Sequence, residues 1–182
     1  MKGQHITLFY KEKSTLQEKL REFFEEGISN SQRCVYLTTQ NDAHQLYEML
    51  KEEIDESKVT KYFSYYIIPD PVDNPKEFKE KISRLSETVF AKEFQGKIGF
   101  NVLGDISRFT KENSDLVEHA ERHLENIKGA QLKMLCSLQV KENDFSRKPM
   151  LDIALRTHDH AIIEKEHNVF AEIELEKISN KD

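Results

Sequence analysis

The sequence predicts an α/β fold: a mostly parallel sheet covered by helices on both faces, with an edge strand near the C-terminal end. Three observations carry this expectation. Short apolar runs alternate with segments whose apolar residues recur at helical spacing, almost without exception along the chain. The early runs are apolar nearly throughout, as strands buried on both faces are. Residues 169–175 instead alternate Val, Ala, Ile and Leu with Phe and Glu, the mark of a half-exposed strand.

Taken in order, residues 6–10 form a first buried strand. Ser14-Thr15-Leu16-Gln17 has the capping-box form, in which a Ser hydroxyl and a Gln amide satisfy amides at a helix start. Leu16, Leu20, Phe23, Phe24 and Ile28 then follow at helical spacing, with Gly27 helping to end the helix. Residues 33–38 are β-branched and aromatic, a second strand. Asp42 caps a helix whose inner side carries Leu46, Tyr47, Leu50 and Ile54. Residues 61–68 read as a third strand closed by Pro69 and Pro71. Asn74-Pro75-Lys76-Glu77 opens a helix, with Pro at the first helical position, and Phe78, Ile82, Leu85 and Val89 turn it inward. A strand at 97–103 ends in Gly104-Asp105, a helix covers about 114–127, and a strand covers 132–140. The last helix runs near 149–156, followed by a short strand at 160–163.

The 182 residues suit one domain, 1–182, with a core at about 3–170 and a strand extension at 169–178. Eleven Phe and six Tyr supply core volume. A net charge of −6 and the lack of a Lys/Arg block argue against nucleic acid as a direct partner. Cys34 and Cys136 both lie inside apolar runs, as buried free thiols do in a reducing compartment. No apolar stretch approaches the about 20 residues that cross a bilayer, so no membrane partner is expected and the cytoplasm is the expected location.

The first strand leads into Tyr10-Lys11-Glu12-Lys13-Ser14-Thr15, where a phosphate-binding loop would sit. Lys13-Ser14-Thr15 superficially resembles the Lys-Ser/Thr of that loop. The turn lacks glycine, is too short to curl around a phosphate, and carries Glu12. A helix start is the better reading. Asp105 ends an inner strand, where open α/β sheets bind ligands; it either lines a crevice or turns the chain and caps a helix.

The histidines offer no familiar metal spacing. His119 and His123 are one helical turn apart but flank the stripe of Leu116, Val117, Ala120, Leu124 and Ile127, and Ala120 stands where HExxH chemistry needs Glu. In Thr157-His158-Asp159-His160, His158 is placed to contact a ligand, whereas His158, His160 and His167 form no recognised ligand set. Neither cysteine has the exposed electropositive setting of a redox thiol. Tyr62, Phe63, Tyr65 and Tyr66 suit a stacking platform or, more commonly, core and cover for one strand. No cofactor and no metal are expected from these patterns.

Several segments together resemble one family. They are Gly3-Gln4-His5-Ile6-Thr7-Leu8-Phe9-Tyr10, Gly27 with Arg33-Cys34-Val35-Tyr36, Gly104-Asp105-Ile106-Ser107, Leu135-Cys136, and Leu155-Arg156-Thr157-His158. In order and spacing they are similar to the MEDS domain, the methanogen/methylotroph DcmR sensory domain. The resemblance implies a three-layer RecA-like fold related to the KaiC/RecA ATPases, without their phosphate loop. It also implies a sensory role towards small molecules such as hydrocarbon derivatives. The motif positions it carries over are His5, Tyr10, Asp105, Ser107, Cys136 and His158. Arg108, Leu138 and Asp159 depart from the pattern, which carries aromatics at the first two positions and Pro at the third.

The resulting expectation is a non-catalytic sensor. It binds a small molecule, apolar organics among the candidates, in a crevice at the strand ends and signals through a partner protein or a homo-oligomer. One alternative is a RecA-like interaction module without ligand. A second is residual nucleotide binding by Lys13 and Ser14, with Asp105 on a metal.

Overall fold

The computed structural model describes residues 3–90, 94–127, 131–141, 148–167 and 169–175, with residues 103–105 described by backbone alone. The elements run β1 (Gln4–Tyr10), α1 (Lys13–Ser29), β2 (Arg33–Thr38), α2 (Ala43–Glu53), α3 (Glu56–Tyr62) and β3 (Phe63–Ile67). Then come α4 (Pro75–Thr88), β4 (Gly96–Asp105), a single 3-10 turn (Ile106–Arg108), α5 (Lys111–Glu125) and β5 (Leu132–Gln139). The last are α6 (Pro149–Thr157), β6 (His160–Glu166) and β7 (Val169–Glu174). No helix among the described residues is long and apolar enough to cross a membrane.

The strands form one sheet in the order β3-β2-β4-β5-β1-β6-β7. Every neighbouring pair is parallel except β6–β7, so the antiparallel strand at the edge is where the one-sided alternation placed it. Two apolar cores lie on the two faces. Leu16, Leu20, Phe24 and Ile28 of α1, Leu46 and Leu50 of α2, and Val59 of α3 cover Leu8, Tyr10, Tyr36 and Leu135. Phe78 and Ile82 of α4, Val117, Ala120 and Leu124 of α5, and Met150 and Ala154 of α6 cover Phe9, Phe100, Met134 and Cys136. The result is the three-layer arrangement expected of alternating strands and helices.

Several local features differ from the sequence expectation. The stretch expected as a strand from residue 61 is helical to Tyr62, because Asp55 accepts the Ser57 amide at 3.0 Å and starts α3, which buries Val59. The expected capping box at Ser14 does not form: α1 begins at Lys13, and Glu12 at its N-cap makes no side-chain cap. Gly27 does not end α1, which continues to Ser29, and Ser31 with φ of 57° makes the turn. A Cβ on Gly27 would lie 2.5 Å from Cys34 Sγ, so this glycine lets α1 press against β2. Gly96, with φ of 146°, opens β4 in a conformation that only glycine adopts without strain.

Candidate ligand site

The residues carried over from the sequence divide into two places. His5, Cys136 and His158 meet under α5 and α6, towards the amino ends of the strands. Tyr10 lies on the opposite face of β1, buried against α1. Ser107 is exposed in the 3-10 turn. Asp105 ends β4 beside Gln139, and its side chain lies outside the described residues. A single crevice at the carboxyl ends of the strands, holding His5, Tyr10, Asp105 and His158 together, is therefore not what the described residues form. Side chains alternate along β1, so His5, Thr7 and Phe9 face away from Leu8 and Tyr10.

Each member of the amino-end cluster is held by its own element. The His5 amide donates to Asp159 Oδ2 at 3.1 Å, and the Asp159 amide donates to the His5 carbonyl at 2.7 Å. This reciprocal pair fixes the start of β1 against the end of α6. His158 follows the last residue of α6, and its Nδ1 lies 2.7 Å from the Ala154 carbonyl. A carbonyl only accepts, so His158 Nδ1 carries a proton, and in the neutral ring Nε2 carries the lone pair. Thr157 Oγ1 donates to the Ile153 carbonyl at 2.9 Å and steadies the same corner. The His5 and His158 rings lie 3.8 Å apart between centroids. His5 Nε2 and Cys136 Sγ share a hydrogen bond at 3.3 Å.

The fourth member was not read from the sequence. Glu121 of α5 is 1% exposed, and its Oε2 lies 4.0 Å from His158 Nε2. Burial pushes its carboxyl up to about 8, with partial relief from the Cys136 thiol. Burial, and then the Glu121 charge, push the Cys136 thiol well above its usual range. Glu125, one turn along α5, places Oε2 3.7 Å from His5 Nδ1. Among the described residues, His5, Glu121, Cys136 and His158 are the one group whose ligand atoms lie close enough to hold a metal ion, all within 4.8 Å of one another. His160 and His167 do not join them, and His119 and His123 stack on each other 6.3 Å apart. A signal for Glu121 was present: with Val117, Ala120 and Leu124 it occupies the buried stripe of α5, where an acid needs a reason.

The carboxyl ends of the strands are closed in a different way. Glu164 of β6, 2% exposed, accepts the Lys11 amide at 2.6 Å, the Glu12 amide at 3.3 Å and the Thr15 hydroxyl at 2.6 Å. A carboxylate of the chain itself thus occupies the helix N-terminus that would otherwise receive an anion. Beside it, Ser137 donates to Asn101, Asn101 to the Tyr36 hydroxyl, and Tyr36 and Thr38 to Asp42. Burial raises the pKa of Tyr10, Tyr36 and Asp42 in this knot.

The family whose description reads MEDS, methanogen/methylotroph DcmR sensory domain, matches residues 4–159. The chain belongs to the MEDS family. Among solved structures it is similar to a KaiC-like protein of the archaeon Pyrococcus horikoshii, with a TM-score of 0.57 and 14% identity over 94% of this chain and 77% of that one. It is also similar to the ATP synthase subunit NeqB of Nanoarchaeum equitans, with a TM-score of 0.54 and 12% identity over 89% of this chain and 47% of that one. These likenesses establish the KaiC-like RecA fold. No curated protein matches the chain. The three departures from the MEDS pattern have local roles here: Asp159 anchors His5, Leu138 is core, and Arg108 pairs with Asp70 and Asp73 at 3.8 and 3.3 Å.

Proposed function

We propose that this MEDS chain is a non-catalytic, cytoplasmic sensory domain whose sensing point is the buried cluster of His5, Glu121, Cys136 and His158. That cluster is the observation that carries the reading. It gathers donors and a proton-binding acid in a fully buried place, at a cost a purely structural core has no need to bear. Glu164 supports the non-catalytic part, because phosphoryl transfer needs a cradle of donors around the phosphates, and here the Lys11 and Glu12 amides of that turn already serve Glu164. A ligand shifts only an equilibrium for which it has differential affinity, so output passes through a partner protein or a second copy of the chain. The edge strand β3, with Tyr65 and Ile67 exposed, favours the second reading of an interaction module.

Thermal-shift screening of wild type and His158→Gln separates these readings. The panel holds small alcohols, halogenated hydrocarbons and other short organics, with ATP and GTP plus magnesium. The expected result is a stabiliser of the wild type that has no effect on a folded His158→Gln protein, and no shift with either nucleotide. A panel without any stabiliser sinks the sensory reading. Magnesium-dependent stabilisation by ATP would reinstate nucleotide binding.

A further inference from the structure

We propose that His5 Nε2, His158 Nε2, Cys136 Sγ and a Glu121 carboxylate oxygen bind one divalent d-block cation, with Zn²⁺ the best match to the donor set. The inference rests on the same cluster as the sensory reading and names a ligand class for it.

Geometry comes first. In a tetrahedral zinc site, bond lengths of about 2.0–2.3 Å put neighbouring ligand atoms about 3.3–3.8 Å apart. His5 Nε2 and Cys136 Sγ are already 3.3 Å apart, and His158 Nε2 and Glu121 Oε2 are 4.0 Å apart. Small side-chain rotations close the remainder. The four donors come from β1, α5, β5 and the end of α6, so no local sequence spacing announces them.

The chemistry agrees. His158 is held in the tautomer that offers Nε2, with its other nitrogen on the Ala154 carbonyl, the outer-shell arrangement that orients metal-bound imidazoles. Glu125 stands near His5 Nδ1 in the corresponding place. Glu121 Oε2 is buried, has no hydrogen-bond partner among the described residues, and points at the His158 lone pair. A cation between Glu121 Oε2 and His158 Nε2, 4.0 Å apart, would take a lone pair from each in place of the Glu121 proton. One thiolate, two imidazoles and a single carboxylate suit zinc and its neighbours; calcium and magnesium need six or more oxygens. Binding releases the thiol proton, and that of Glu121 where it is present, to solvent.

The test uses the full chain, stripped with a chelator under reducing conditions and checked for fold by circular dichroism. Zinc content after dialysis against Zn²⁺ should be one equivalent. Titration with Co²⁺ should give intense visible bands of a tetrahedral ion and a sulfur-to-cobalt charge-transfer band in the near ultraviolet. Cys136→Ser should lose the charge-transfer band, while Cys34→Ser, which alters the thiol outside the cluster, keeps it. Glu121→Gln should weaken Co²⁺ binding at least tenfold. A folded wild type that takes up no stoichiometric zinc and shows no cobalt bands overturns the proposal, as does a charge-transfer band that survives Cys136→Ser. If Cys136→Ser does not fold, the wild-type spectrum still decides, because that band itself reports a thiolate ligand. A chain that binds cobalt but responds to no organic molecule would retain the metal site and lose the sensory reading. A His158-dependent organic stabiliser without cobalt bands would do the reverse.

Discussion

A carboxylate with almost no contact with water persists only where donors surround it, and Glu164 has two backbone amides and a hydroxyl. The Thr15 hydroxyl is buried and the two amides are partly so, so removal of Glu164 leaves the hydroxyl without an acceptor and the amides with only water. Glu164→Ala is expected to destabilise the protein by about 2–3 kcal/mol, the scale of charge-assisted bonds plus unsatisfied donors. Glu164→Gln, which keeps an acceptor oxygen, should cost less than the alanine variant. Urea unfolding of the three proteins measures both values; a loss under about 0.5 kcal/mol for alanine, the size of an ordinary surface change, would mean the contact is incidental. Glu164 also shows what residue-level reading missed. The absence of glycine from the turn was legible, but what fills the position comes from 149–153 residues away, and one acid in a half-exposed strand carries no mark of its target. His5, Cys136 and His158 were legible through the order of motifs shared with a family. Glu121 is marked in the sequence only as an acid on an apolar stripe, a pattern that names no partner.

At the level of elements, strand and helix order was readable because burial imposes its period directly on sequence. Helix ends were less so. Asp42 and Asn74 stand at N-caps without making a side-chain cap bond; Asp42 instead takes the hydroxyls of Tyr36 and Thr38. Cap propensity describes what a side chain does when nothing else competes, and here buried hydroxyls compete. The helix α3 was hidden because its Lys61 and Tyr62 run directly into the aromatic strand β3. Gly27 gives the sharpest contrast between local and tertiary rules. Inside α1, glycine to alanine should gain about 1 kcal/mol of helix propensity. The new Cβ would instead fall 2.5 Å from Cys34 Sγ and 2.9 Å from Lys97 Cδ, and overpacking of this kind costs about 1–3 kcal/mol. Gly27→Ala is therefore expected to destabilise the protein, and Cys34→Ala in the same chain to recover part of the loss. A double-mutant cycle measured by denaturant unfolding reads the coupling. Stabilisation by Gly27→Ala alone would show that α1 stands farther from β2 than described.

For the whole molecule, the sheet's two final strands carry unequal weight. The family match ends at residue 159, before β6 begins. Yet β6 pairs in parallel with β1 from His160 to Ile163, buries Ala161 and delivers Glu164 to the start of α1. Its removal would strip one edge of β1 and open the α1 N-terminus at once. By contrast, β7 pairs only with β6, and most of its side chains face water. Its half-buried Phe170 lies under Lys19 Nζ, 4.5 Å from the ring, and Leu175 just beyond the strand packs against the core. A chain ending at residue 166 is expected to fold with a loss of about 2 kcal/mol, a Tm drop of about 4–8 °C for a protein of this size. A chain ending at residue 159 is expected to show no cooperative transition at all. Scanning calorimetry on the two truncations distinguishes them. Equal losses, or a shorter chain that melts as sharply as the longer, would mean that Glu164 and the β1–β6 ladder are not what joins the last part of the sheet to the first.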